Sequence, residues 1–268
     1  MMLRALHDDA VALWRARALL WMMARREIAA RNAGSAAGVA WAYAQPLLTV
    51  AAYYLVFDIV FSMRLGAGAP TAAVGTFLVV GALPWMSFCD AVNRAMSSLV
   101  DSGGVLQKNA LPPVLFPVRA VMASMLIHLP LIVLVALLYF PLHQFSVALL
   151  AVPLLFVFQT LLCVLLGYAL AILAAAVRDT LQIVTFLLSI GIFVSPVLFP
   201  LSMFPEAWRW VLWLNPMSGI VQGYQAVLLS GAWPMVEVWS VSAAWVAGLA
   251  VLVGLLAARS RESLVDWL

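Results

Sequence analysis

The sequence predicts an all-α integral membrane protein: six transmembrane helices, an N-terminal amphipathic interface helix, and re-entrant helices between the fifth and sixth spans. Three observations predict it. The chain is 66% hydrophobic and 9% charged, with a mean hydropathy of +1.08, whereas soluble domains carry about 25% charged residues. Apolar runs of membrane length recur along it, and about 20 apolar residues suffice to cross a bilayer. Between residues 178 and 234 one such run is followed by shorter apolar pieces, broken at Pro196, Pro200, Pro216 and Gly219. Half-spans of this kind dip into a bilayer and return. Their backbone must be buried in protein or line a cavity, because lipid cannot satisfy N–H and C=O groups. A pathway through the membrane is the expectation, and transport with it.

Two units follow from the pattern: residues 1–33, a cytoplasmic interface helix, and residues 34–268, a six-helix transmembrane domain. Over residues 8–31, Val11, Leu13, Trp14, Leu19, Leu20, Met22, Met23 and Ile28 are interleaved with Arg15, Arg17, Arg25, Arg26 and Arg31. This predicts a helix lying in the inner interface with its arginines on lipid phosphates, or a lever against a cytoplasmic partner; the two do not exclude each other. Six arginines precede the first apolar run, too many charges for the core of a cleavable signal, so the first span is expected to target the chain itself. The spans are expected at 39–62, 72–99, 118–140, 146–176, 180–199 and 236–258. The fourth is longer than a bilayer needs and is expected to tilt or protrude, with Pro153 tolerated in its first turns.

Orientation follows from Lys and Arg. With the N-terminus inside, the inner segments hold Arg4, Arg15, Arg17, Arg25, Arg26, Arg31, Lys108, Arg119, Arg178, Arg259 and Arg261, against Arg64 and Arg209 outside. Both termini are therefore expected in the cytoplasm. The same placement at span ends, rather than on one face, excludes a nucleic-acid footprint despite the net charge of +3.

Enzymatic chemistry finds little to work with. The only lysine, Lys108, precedes Asn109-Ala110, so there is no G-x-x-x-x-G-K-[ST] and no ATP hydrolysis by that route. His7, His128 and His143 are far apart, and no H-E-x-x-H or G-x-S-x-G occurs. Cys89 and Cys163 sit inside apolar runs and read as small buried hydrophobes. No catalytic residue, metal site or resident cofactor is expected. The ionisable residues inside spans are Asp58, Asp90, Arg94 and His128. Asp90 and Arg94, spaced i, i+4, predict an intramembrane ion pair that locks helices, gates them or meets substrate. So few carboxylates make no proton relay, and energy is expected to come from a partner.

The inner loops indicate where that partner would grip. "DSGGVLQKNALPPVLFPVR" (101–119) opens with two glycines and then carries three prolines. Val105–Leu111 is expected as a short surface helix presenting Gln107, Lys108 and Asn109. The next inner loop shrinks to Arg178-Asp179-Thr180. Here Asp179 can cap the following helix and Arg178 can neutralise the preceding helix end, or both can contact a partner.

These motifs resemble, over nearly the whole chain, the membrane subunits of type-2 ABC exporters of lipid-linked polysaccharides, a group that includes O-antigen, capsule and teichoic-acid exporters. The segment "RREIAARNAGSAAGVAWAYAQPLL" resembles the family's opening through Gly34, Ser35, Gly38, Trp41, Pro46 and Leu47. "GALPWMSF" resembles its Gly-Leu-x-x-Trp-x-Phe-Phe element. "LQKNALPPVLFP" is similar to its first coupling loop, with Lys108, Pro112 and Pro117 in register; Leu111 stands where phenylalanine is usual and Asp101 where asparagine is. "RD…SPVLFP…LNPMSGIVQGYQAVLLSG" is the closest match, with Gln225 where an arginine often follows the tyrosine.

The resemblance implies a homodimer in the bacterial inner membrane, paired with two copies of a cytoplasmic ABC ATPase subunit that bind the ATP and magnesium. The substrate it implies is an undecaprenyl-linked polysaccharide of the O-antigen class. Arg25, Glu27, Arg31, Gln107, Lys108, Asn109, Arg178 and Asp179 would then couple to the ATPase. Trp41, Trp85, Trp208, Trp210, Trp213, Asn215 and Tyr224 would line the substrate pathway. For Trp208, Trp210, Trp213, Tyr224 and Trp233, crowded into the broken segment, an aromatic belt at the headgroups is the other reading. A type-2 exporter of a drug or small lipid, an ATP-independent glycolipid flippase or glycan-processing enzyme, and a membrane scaffold remain as rivals.

Overall fold

The computed structural model describes residues 2–31, 33–66, 69–109, 111–138, 146–260 and 264–267. His143 and Arg261 lie outside the described residues, as does the far end of the third expected span.

The expected interface helix is two helices, α1 (Met2–Arg15) and α2 (Arg17–Ala30). They meet at Ala16, whose φ of −93° and ψ of 12° bend the chain. α1 is the amphipathic one: it lies against the last long helix and leaves Trp14 exposed. α2 packs on the third spanning helix through Leu20 and Ala24. Its arginines Arg17, Arg25 and Arg26 are exposed, but Arg31, the residue after the helix, turns inward, which corrects the expectation that all of the segment's arginines face lipid phosphates. A turn follows in which Gly34 and Gly38 adopt φ of 84° and 50°, a backbone region that side chains resist.

α3 (Ala40–Tyr53) carries Pro46 internally and continues as a seven-residue π-helix, Tyr54–Val60. The widened turn delivers Asp58 to the start of the next helix, α4 (Val74–Asp101). The Asp58 carboxylate accepts from Gly75 N at 2.8 Å, Thr76 N at 3.0 Å and Thr76 Oγ1 at 3.1 Å. Of the ionisable residues inside the expected spans, Asp58 is thus a cap supplied from a neighbouring helix.

α4 is the centre of the molecule, buried along most of its 28 residues and packed by α3 and by the later helices that begin at Leu115, Ala151 and Ser218. The one-turn α5 (Gly103–Leu106) follows, then α6 (Leu115–Leu138) and α7 (Ala151–Ala176). α7 is entered through a 3-10 turn, Val147–Leu150, and Pro153 falls in its first turn, where no helical N–H is lost. Gly167 brings α7 onto α4: a Cβ there would lie 2.5 Å from Ala95 Cβ.

α8 (Asp179–Gly191) and one 3-10 turn to Val194 end before Pro196. At 1.5 Å per residue this run is about 24 Å long, short of the ~30 Å hydrocarbon thickness. Among the described residues, five other helical stretches have the length and apolarity to cross: 40–60, 74–101, 115–137, 147–176 and 236–260. The fifth expected span, 180–199, is therefore a shorter helix that stops at Val194. Irregular chain with one-turn pieces, among them α9 (Arg209–Leu212), leads to α10 (Ser218–Ser230). α10 is only 13 residues long and mostly buried against α4, α7 and the last long helix. α11 (Val236–Ser260) and α12 (Leu264–Trp267) complete the chain.

Two apolar cores result. The larger joins α4, α6, α7 and α10 around Phe77, Trp85, Leu155 and Tyr224. The smaller gathers Ala5 of α1, Leu20 of α2, Leu106 of α5, Phe116 of α6, Tyr168 of α7, Val253 of α11 and Leu264 of α12.

Candidate functional site

At the α2 end of the molecule the structure assembles a charged network from distant parts of the sequence. Arg94 Nε donates to Asp90 Oδ1 at 2.8 Å, one helical turn along α4. The other carboxylate oxygen, Asp90 Oδ2, accepts from Arg31 Nη1 at 2.9 Å, and Arg31 Nη2 donates to Ser124 Oγ of α6 at 2.8 Å. His128 Nδ1 donates to the Ser124 carbonyl at 2.9 Å. The i, i+4 pair is present, and a second arginine makes it a triad that ties the α2–α3 junction to α4 and α6. The Arg31 side chain is 5% exposed and that of Arg94 42%. Burial pulls the Arg31 guanidinium below its ordinary value, and Asp90 pulls it back; it stays charged.

A second pair lies alongside: Glu27 Oε2 and Arg119 Nε are 3.4 Å apart, and Arg119 Nη2 donates to Ser102 Oγ at 3.0 Å. Glu27 and Arg31, expected among the partner-contacting residues, are thus engaged within the chain. Arg25, Gln107, Lys108, Asn109, Arg178 and Asp179 are exposed. The short loop helix begins earlier than expected, at Gly103, and its last turn reaches Asn109 through Asn109 N to Val105 O at 3.0 Å. Asp179 occupies the first turn of α8 beside the helix N-terminus without a side-chain cap bond, and Arg178 holds the cap position. The expected side-chain cap is therefore absent, although the carboxylate still lies where the helix dipole favours it.

The expected pathway residues divide. Trp41, Trp208 and Trp210 are about half exposed or more. Trp213 is half-buried, and its carbonyl accepts from Trp245 Nε1 at 3.1 Å. Trp85 is in the core beside Phe88. Tyr224 is fully buried, its hydroxyl without a partner among the described residues, so it lines no exposed surface there. Asn215 is a brace. Its amide donates to Gly191 O at 3.3 Å and Val194 O at 3.4 Å, and its oxygen accepts from Met217 N at 3.0 Å. It fastens the end of α8 to the start of α10.

Two glutamines were not singled out as site residues. Gln225 Nε2 donates to Pro196 O at 2.7 Å and Gln159 Nε2 to Pro84 O at 3.0 Å. Both are buried amides holding the carbonyls of prolines. The signal was a polar residue inside an apolar run, but the partner lies 29 or 75 residues away. Among the described residues, no three His, Cys, Asp or Glu gather in metal-binding geometry.

A mostly helical membrane domain, with paired charges at one end, a buried half-length helix and no nucleotide-binding motif, has the character of a transporter's membrane subunit. The family comparison fixes which kind. Residues 18–229 match the model of the ABC-2 type transporter, and this chain belongs to that membrane family. It is 30% identical to the O-antigen export system permease protein RfbA of Myxococcus xanthus, over 84% of this chain and 85% of that one. It is 23% identical to the protein of the same name from Klebsiella pneumoniae, over 80% and 81%. With the polysialic acid transport protein KpsM of Escherichia coli it shares 23% identity over 77% and 79%.

Proposed function

We propose that this chain is the permease subunit of an ABC exporter that moves a lipid-linked polysaccharide of the O-antigen class across the bacterial inner membrane. The observation that carries the reading is the near full-length likeness to permeases named for O-antigen export. The sequence has no P-loop, so ATP and magnesium belong to a separate cytoplasmic ATPase present in two copies. The excess of Lys and Arg in alternate loops supports cytoplasmic termini.

The smaller core supports a coupling route. α1, α2, α5 and α12 share one apolar cluster with the inner ends of α4, α6, α7 and α11. A push on the exposed Gln107–Asn109 turn, or on the α1–α2 elbow, would therefore move a body already fused to the spanning helices.

A homodimer fits the unevenness of packing. α4 is nearly enclosed, whereas α3 and α8 are barely covered: Pro46 is the one buried residue of α3, and α8 has none. Those faces also carry Gln45, Thr185 and the Asn93–Thr185 hydrogen bond at 3.1 Å. Polar groups at membrane depth favour a protein or aqueous neighbour, and a second copy supplies one. Between the copies, the broken segment 195–217 would form the outer mouth, with Trp208 and Trp210 available to stack on sugar rings.

The reading is tested by purifying the chain in mild detergent with whatever it holds. A co-purifying ATPase whose turnover responds to this subunit, together with loss of surface polysaccharide on deletion, is the expected result. A chain that purifies alone and whose deletion leaves surface glycan unchanged would overturn it.

A further inference from the structure

Beside the charged triad lies a cavity of ≈490 Å³ walled by α3, α4 and α6, with Trp41, Gln45, Asp90, Arg94 and His128 on its sides and Arg31 at its inner edge. A second, apolar groove of ≈170 Å³ is formed by the same three helices, through Leu47, Val50, Val79, Leu83, Leu131 and Leu134. Pro46 lines both. The order along each helix is the informative part. On α3 the polar wall is at 41–46 and the apolar one at 46–50. On α4 the polar wall is at 86–94 and the apolar one at 79–83; on α6 these are 127–128 and 131–135. α3 and α6 ascend from polar to apolar while α4 descends, as antiparallel neighbours must. The two cavities are therefore consecutive stretches of one groove, with centres separated by about two helical turns, ~11 Å.

The groove has the anatomy of a lipid. Arg31 directly follows α2 and Trp41 stands at the start of the first span, so the polar end sits at the level where tryptophans and headgroups meet. The apolar end runs toward the bilayer interior. Two guanidiniums face one carboxylate, which leaves a single positive charge. Arg94 spends only its Nε on Asp90, and its terminal nitrogens have no bond to the chain among the described residues. Arg31 Nε is buried without a hydrogen-bond partner among the described residues.

We propose that this groove is a binding site for an anionic phospholipid of the surrounding bilayer, with its phosphodiester on Arg94 and an acyl chain along Leu83 and Leu134. One net positive charge complements a singly charged phosphodiester better than a diphosphate. The lipid fills the space between α3 and the bundle and fastens the one spanning helix that the chain itself barely covers. The assignment does not rest on the export reading: it is tested by lipid retention, with no transport measured, and either can fail alone.

The experiment is native mass spectrometry of the full chain in mild detergent, offered equimolar phosphatidylglycerol, diacylglycerol and undecaprenyl diphosphate. Phosphatidylglycerol is expected to be retained preferentially. Arg94→Ala, which leaves Asp90 paired to Arg31, should lower its retention about fivefold, the usual worth of one surface arginine toward anionic lipid. Leu134→Trp, which fills the apolar groove from a half-exposed position, should lower it as well. Equal retention of diacylglycerol, or wild-type retention by both variants, would sink the proposal. Preferential retention of undecaprenyl diphosphate would replace the phospholipid with the carrier lipid.

Discussion

Arg31, Asp90 and Arg94 differ in what their loss should do, because they differ in how far the chain encloses them. Asp90→Ala leaves the Arg31 guanidinium, 5% exposed, without its counter-charge. Breaking a buried pair in this way costs about 3–5 kcal/mol. Arg94→Ala removes a partner that is 42% exposed and leaves Asp90 bound to Arg31, so its cost should not exceed about 1 kcal/mol. Thermal unfolding in detergent checks the order; an Arg94 variant less stable than the Asp90 variant would contradict the geometry. Gln225 offers a second test. Gln225→Leu keeps the volume but strands the Pro196 carbonyl, a loss of about 1–3 kcal/mol. Unchanged thermal stability would mean that this carbonyl has another partner. At this scale the Asp90–Arg94 pair was legible, because four residues apart on a helix is a contact by construction. Arg31 was not, because its partners are 59 and 93 residues away and no local spacing encodes that meeting.

Helices long enough to cross were readable from apolar run length, and the five among the described residues fall within the expected ranges to within a few residues. What run length could not show is where a run stops being helix. The expected span 180–199 ends at Val194 because Pro196 removes an N–H and restricts Ser195 before it. The interface segment is likewise two helices rather than one, since α1 and α2 pack on different partners, α11 and α6. The exposed 3-10 turn Leu201–Met203 carries the topology. Ser202→Cys should react with a membrane-impermeant maleimide added to the outside of intact cells. Labelling only after the inner face is opened would invert the orientation drawn from Lys and Arg.

At the level of the whole molecule, the exposed Arg178-Asp179 corner and the Gln107–Asn109 turn lie at the end of the protein that also holds α1 and α2. Arg178→Ala and Asp179→Ala touch no packed side chain, so membrane insertion should be normal. If the corner transmits force, export and stimulation of the partner ATPase should fall at least about fivefold, the low end of ordinary coupling free energies. Normal export by both variants would restrict the corner to a helix-terminal role. Of the candidate pathway, Trp208 and Trp210 keep the exposure a pathway requires, while Trp85 and Tyr224 lie in the core. An aromatic residue in an apolar run carries no mark that distinguishes these fates. Only the neighbours that α4, α7 and α10 bring to it decide.

The sequence by itself determined that the chain lives in a membrane, where most of its helices run, that prolines break the apolar segment from Pro196 onward, and which family it joins. These follow from hydropathy, proline chemistry and motif order, all local along the chain. The tertiary structure alone decided that Arg31 closes a triad with Asp90, that Asp58 caps α4 from a π-turn, that Gln225 holds the broken segment, and that α3 stays nearly uncovered. Each of these depends on which helices lie side by side. In an apolar sequence many pairings bury similar area, and the choice among them falls to a few polar groups that must find partners out of water.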